Sequence, residues 1–153
     1  MEKITSEAKV GINKDHIPLN YKYTAGVAGD RFLQLLKQGK LQGSQCPKCN
    51  KLYLPPKIFC KECFSQLNEW KDIPEDSGYL YSYTFVRKKN DNEDSSGGDL
   101  IALVKFDGVE GGLLGRLKSS KEEPKIGMKV RPVFKQKGDR IGDLSDINYF
   151  EKV

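Results

Sequence analysis

Histidine is almost missing from this chain: His16 is the only one, and it lies in a stretch with no sustained periodicity. No Cys-His or Ser-His arrangement can therefore be assembled around a nucleophile, and the paired carboxylates Glu122-Glu123 sit in a polar turn and read as solvated. These absences argue against an independent enzyme. No apolar run approaches the about 18 residues that span a bilayer, so no membrane partner is expected. Nor is there a polybasic tract: the net charge of +5 is spread along the 153 residues, which counts against nucleic acid as the partner. The polar start, Met1-Glu2-Lys3-Ile4-Thr5-Ser6-Glu7, has no apolar core segment of a secretory signal, so a reducing cytoplasm is the expected compartment.

What the chain does have is four cysteines in two pairs, Cys46-Pro47-Lys48-Cys49 and Cys60-Lys61-Glu62-Cys63. Two residues between ligands let both thiolates of a pair project from one tight turn. Two such turns facing each other form the tetrahedral sulfur cage of structural zinc. The ten-residue separation is shorter than the usual ribbon spacing of about 15–20 residues but suffices for a hairpin-like excursion. Disulfides conflict with the expected compartment, and a redox dithiol needs only one pair. Cys46, Cys49, Cys60 and Cys63 are thus assigned to a metal. Zinc is preferred to iron, because a closed fourfold thiolate set is more often a zinc site. A ribbon this small buries little core, so the metal should carry its folding.

Three regions follow: an amino-terminal arm and helix (1–40), a zinc ribbon (41–75) and a β domain (76–153). Ala28, Phe32, Leu35 and Leu36 recur at helical spacing, Thr24 or Asp30 can cap the start and Gly39 is a left-handed stop, which predicts one amphipathic helix over 25–38. Lys51–Pro56 reads as a short strand whose prolines make it an edge or an end. Five further strands are predicted at Tyr79–Arg87, Leu100–Phe106, Gly112–Leu117, Lys129–Phe134 and Ser145–Lys152. Separated by Gly-, Asp- and Ser-rich turns, they suit an OB-like five-stranded barrel. The acidic stretch Asn90–Gly98 reads as a mobile loop.

Within the first of these strands Tyr79, Tyr81, Tyr83 and Phe85 alternate with smaller residues, so strict alternation puts four aromatics on one face. Core or interface packing is preferred to a base-stacking platform, because the dense positive charge beside it, Arg87-Lys88-Lys89, runs straight into an acidic stretch. Asp107–Gly112 is glycine-rich but lacks a phosphate-loop lysine, and a hairpin turn is the preferred reading. Arg116 and Lys118 beyond it are able to hold a ligand phosphate, although solvated surface charge is the commoner use of such residues.

In order along the chain, Tyr23-Thr24-Ala25-Gly26, Arg31-Phe32, Gly39-Lys40, Gly43, the first cysteine pair, Tyr53, Pro55-Pro56 and the second pair resemble the domain of unknown function thirty-five family. The carboxy-terminal half resembles it through Gly78–Thr84, Ile101–Val104, Leu114–Leu117 and Ile126–Val130. The similarity runs from about residue 21 to the end. It departs from the pattern at Asn50, where glycine is common, and at Phe64; asparagine tolerates the left-handed turn required there. The resemblance implies amino-terminal helices, a rubredoxin-like zinc ribbon and an OB-fold associated with acyl-CoA chemistry. The implied partner is a thiolase-like or hydroxymethylglutaryl-CoA synthase-like enzyme, with acyl-CoA as ligand and Arg87, Arg116 and Lys118 as its contacts. The alternative is a single-stranded nucleic-acid-binding OB-fold.

Overall fold

The computed structural model describes residues 24–87, 98–118 and 123–153. His16, Glu122, Lys88, Lys89 and the acidic stretch before Gly98 lie outside them, as does the side chain of Arg87. One helix, α1 (Gly26–Gln38), opens the described chain. The Thr24 hydroxyl accepts the Gly26 N–H at 3.2 Å, whereas Asp30 sits inside the helix and caps nothing. Gly39 stops the helix in the left-handed region at φ 76°, donating its N–H back to the last turn. Ala28, Phe32 and Leu36 form the buried stripe. The helix is too short and polar to cross a membrane, and none of the described residues form one that could.

After α1 the described residues form nine strands: β1 (Gln42–Gln45), β2 (Leu52–Leu54), β3 (Glu69–Asp72), β4 (Gly78–Arg87), β5 (Gly98–Phe106), β6 (Val109–Gly111), β7 (Leu113–Leu117), β8 (Val130–Phe134) and β9 (Ile147–Lys152). They make two sheets. The smaller has the order β3-β1-β2-β6, with β1 antiparallel to both β2 and β3, and β2 parallel to β6. Pro55 and Pro56 follow directly on β2, so they mark an end, and β2 itself lies inside the sheet.

The larger sheet has the order β4-β5-β7-β9-β8. The last strand is inserted between the third and the fourth of the five, parallel to the former and antiparallel to the latter. This is the Greek-key connectivity of a partly open OB barrel. The ladders do not run all the way round: the edge strands β4 and β8 meet at a single bridge, Tyr79 to Lys129, reinforced by the Leu80 N–H on the Met128 carbonyl at 2.9 Å. Phe32 and Leu36 from α1, and Leu54 from β2, share one core with Leu80, Val104, Phe106, Val130 and Phe150 of the barrel. Each such side chain contributes about 1.5–3 kcal/mol on burial. Helix, ribbon and barrel are thereby packed on common ground.

Two expectations are corrected. Asp107–Gly112 is more than a hairpin turn: after Asp107-Gly108 it forms β6 and completes the ribbon's sheet. Gly111, at φ 104°, is required there, because a Cβ would stand 2.1 Å from the Leu54 carbonyl oxygen. The aromatic stripe of β4 is also broken. A bulge between Leu80 and Ser82 inserts one residue, so Tyr79 opposes Lys105 on the outer face while Tyr83 and Phe85 oppose Ala102 and Leu100 on the inner one. Tyr81, Tyr83 and Phe85 are all exposed, so they do not pack into the barrel core.

Candidate metal centre and the grooves beside Arg116

The two cysteine turns are built alike. In the first, Cys46 N–H bonds the Lys51 carbonyl and Asn50 N–H bonds the Cys46 carbonyl, both at 2.9 Å. In the second, Cys60 N–H bonds the Ser65 carbonyl at 2.9 Å and Phe64 N–H bonds the Cys60 carbonyl at 3.1 Å. Closing so tight a loop needs a left-handed residue just after the second cysteine, and Asn50 (φ 58°) and Phe64 (φ 57°) take that conformation. Asparagine does so readily. Its side chain is also held, the Gln45 amide donating to Asn50 Oδ1 at 2.5 Å. Phe64 lacks such help and is 78% exposed.

The two turns bring the four cysteines together, with all sulfurs within 4.8 Å of one another and Cys46 Sγ 3.5 Å from Cys63 Sγ. Four sulfurs about 2.3 Å from one ion at tetrahedral angles are about 3.8 Å apart, so the set fits a zinc ion. Cys46 and Cys60 are buried, and Cys49 and Cys63 are half-buried. Around them stand three further residues that sequence reasoning did not single out for the site. Tyr53, 1% exposed, sets its hydroxyl 3.2 Å from Cys60 Sγ. Leu67 closes the cluster's apolar side. The Ser65 hydroxyl lies 3.3 Å from Cys63 Sγ. Alternation along Leu52-Tyr53-Leu54 is the signal for Tyr53, since it points the ring away from the core that takes its two neighbours.

Backbone N–H groups also point at the sulfurs, from Cys49 to Cys46 at 3.3 Å and from Glu62 to Cys60 at 3.4 Å. In the metal-free thiols these contacts split the acidities. Hydrogen bonding from Tyr53, against the opposing effect of burial, brings Cys60 down to about 6. The Ser65 hydroxyl lowers Cys63. Cys49, hydrogen-bonded to the Cys63 sulfur, is pushed up to about 12. Low-pKa thiols are the ones already prepared to bind as thiolates.

Among the described residues, one open groove of the barrel, of about 240 Å³, is bordered by Phe85, Asp99, Leu100, Lys118 and Tyr149, and another, of about 520 Å³, by Ile101, Leu114, Lys135 and Leu144. Arg116 lines both. Lys118 lines the first and is tied to Glu151 at 3.5 Å, with its ammonium 5.2 Å from the centre of the Tyr149 ring. Of the three cations singled out from the sequence, Arg116 and Lys118 therefore share a groove.

Two family models match the chain: a ChsH2 rubredoxin-like zinc ribbon domain over residues 33–69 and a ChsH2 C-terminal OB-fold domain over residues 70–135. Among solved structures, the chain is similar to a protein of unknown function from the DUF35 family of Sulfolobus solfataricus. The identity is 32%, over 71% of this chain and 78% of that one, with a TM-score of 0.63. The chain belongs to the DUF35 family. A second solved structure, described as an Ltp2-ChsH2(DUF35) aldolase, shares the fold of this DUF35 protein, with 22% identity over 80% of this chain and 91% of that one and a TM-score of 0.57. No curated protein matches.

Proposed function

We propose that this DUF35 protein is a non-catalytic accessory subunit that binds acyl-CoA, or borders its channel, in a complex with a thiolase-like or hydroxymethylglutaryl-CoA synthase-like enzyme of the cytoplasm. The observation that carries the reading is the place of Arg116, exposed between a groove that it shares with Lys118 and Asp99 and a larger groove walled by Ile101, Leu114 and Leu144. That combination suits a ligand with an anionic head and an apolar tail, since guanidinium grips phosphate in a bidentate fashion while the apolar wall takes the chain. Family membership adds support, because the related Ltp2-ChsH2(DUF35) assembly joins the same two-module fold to a second protein. Cys46, Cys49, Cys60 and Cys63 would hold zinc as a closed structural ion, which supplies geometry and a folded ribbon. The chain's own part is to bind and orient.

Affinity purification from the native extract tests this reading. A thiolase-like partner and retained CoA are expected, with Arg116→Ala weakening CoA retention by about tenfold, the size of a lost charge-assisted contact. Recovery of nucleic acid alone would overturn it. The rival, single-stranded nucleic acid, is favoured by the exposed rings of Tyr81, Tyr83 and Phe85. Against it, the Lys105 ammonium already covers Tyr81 at 3.8 Å from the ring centre. A strand binder would lose affinity with a log–log salt slope near about −0.7 per phosphate, and a CoA contact far less.

A further inference from the structure

Two sulfurs of the cluster differ in how they are held. Cys46 Sγ accepts one backbone N–H, whereas Cys60 Sγ accepts the Glu62 N–H and in addition faces the Tyr53 hydroxyl at 3.2 Å. Tyr53 reaches it from the interior. The residue is 1% exposed, its strand neighbours Leu52 and Leu54 face the main core, and its ring packs with Cys46, Cys60 and Leu67. A phenol buried to this degree requires a hydrogen-bond partner. Once Cys60 is a metal-bound thiolate it has no proton to give, so the direction of the bond is fixed: the phenol O–H donates and the sulfur accepts.

We propose that Tyr53 is a positioning residue of the metal centre, its hydroxyl donating to Cys60 Sγ so that this thiolate is oriented, drained of charge and held on the ion. The inference rests on the reading that the four cysteines hold zinc. Donation to a ligand sulfur lowers its basicity and its nucleophilicity, so proton-assisted release of the ion and attack by electrophiles at Cys60 are both slowed. Tyr53 also pairs with Ser44 of β1 and Glu110 of β6 across the sheet, so the donor sits on the strand that connects the ribbon to the barrel. A ring already packed with Cys46, Cys60 and Leu67 loses little further freedom in making the bond.

The test uses the full chain loaded with one zinc, as wild type, as Tyr53→Phe and as Leu67→Ala, the last opening the same cluster without removing the donor. Transfer of zinc to a chromogenic chelator should be about tenfold faster or more in Tyr53→Phe. Alkylation mapped by mass should begin at half-buried Cys49 in the wild type and at Cys49 and Cys60 together in Tyr53→Phe. In the cobalt-loaded protein the thiolate-to-metal charge-transfer band should move to lower energy in Tyr53→Phe and stay in place in Leu67→Ala. Unchanged release, alkylation order and band position in Tyr53→Phe would overturn the proposal, as would Leu67→Ala reproducing all three changes. If Tyr53→Phe fails to load, the wild type still decides: a slowly exchanging Tyr53 hydroxyl proton with an NOE to Cys60 Hβ supports the bond, and its absence removes it. A wild-type chain that binds no metal would instead defeat the zinc reading beneath it.

Discussion

Between β1 and β3 the ribbon's own cluster consists of Cys46, Tyr53, Cys60 and Leu67, whereas the barrel shares with α1 and β2 a continuous core that includes Phe106, Phe150, Leu80 and Val130. The first region has two large apolar side chains and four sulfurs; the second has a full set of interdigitating aliphatic and aromatic groups. Burial of carbon organises the barrel, whereas the ribbon's core is too small to offset the entropy of ordering its loops, the shortfall that the proposed coordination by its four cysteines would make good. The two regions are nonetheless joined. Leu54 leaves the ribbon for the main core, β6 leaves the barrel for the ribbon's sheet, and Arg31 of α1 lies 4.2 Å over the ring of Trp70 in β3. The difference teaches where each region should fail and how far a failure should spread.

Stripping the metal should have the largest effect, since structural zinc in finger-like peptides is worth about 10–16 kcal/mol of apparent binding energy. With chelator, amide protection at Ser44, Gln45 and Tyr53 and the fluorescence of Trp70, the single tryptophan, should collapse, while Val104 and Phe106 stay protected. Unchanged protection of Ser44 and Gln45 would mean that the ribbon stands without coordination. The complementary break is Phe150→Ala. Phe150 is fully buried, pairs with Leu117 and Pro132, and lays its ring over Gly115. Its loss should cost about 3–5 kcal/mol in denaturant unfolding followed by circular dichroism. Zinc content should not change, and zinc loss in proportion to unfolding of the barrel would erase the contrast between the regions.

Gly111→Ala addresses the join between them. The new methyl would meet the Leu54 carbonyl, and φ 104° is unfavourable to any L side chain, so about 2–3 kcal/mol is expected. The change should separate the two transitions, with the Trp70 signal melting before the circular dichroism. Coincident transitions at an unchanged midpoint would show that β6 is dispensable.

How much of this was written in the sequence follows from the range of each interaction. The cysteine turns were legible because their geometry is local: four residues and a left-handed Asn50 define one. The five barrel strands were legible from alternation and turn chemistry. The break in the aromatic stripe was not, because the bulge at Tyr81 arises from pairing with β5, and one inserted residue moves Tyr83 and Phe85 to the opposite face from the one Tyr79 occupies. Three-residue β6 was hidden for a similar reason: its glycines suit a turn equally well, and only the approach of Leu54 from 57 residues earlier in the chain shows why Gly111 must be glycine. At the candidate metal centre the four cysteines could be read and alternation along β2 marks Tyr53, but Ser65 and Leu67 could be placed only once the turns faced each other.

The smallest predicted effect sharpens the same boundary. At its surface Lys61 of the second cysteine turn bonds Glu110 of β6 at 2.7 Å, with Lys51 at 3.8 Å from the same carboxylate. The Lys61 hydrogen bond, followed by the charges of Lys61 and Lys51, holds the Glu110 carboxyl below its ordinary value of 4.5. A carboxyl depressed on folding adds stability that is complete above its unfolded pKa and is lost as pH falls through the folded one. The pair is solvent-exposed and screened, so its contribution should be slight and should fade in about 1 M salt. Glu110→Gln keeps the shape and removes the charge. It should therefore leave the circular dichroism midpoint in place and shift the Trp70 midpoint slightly down at neutral pH. That gap should close as pH drops below the ordinary glutamate value, where the wild type loses the same charge. A gap that persists at low pH or in high salt would show that Glu110 supports the ribbon through packing, and the boundary would then owe nothing measurable to its charges.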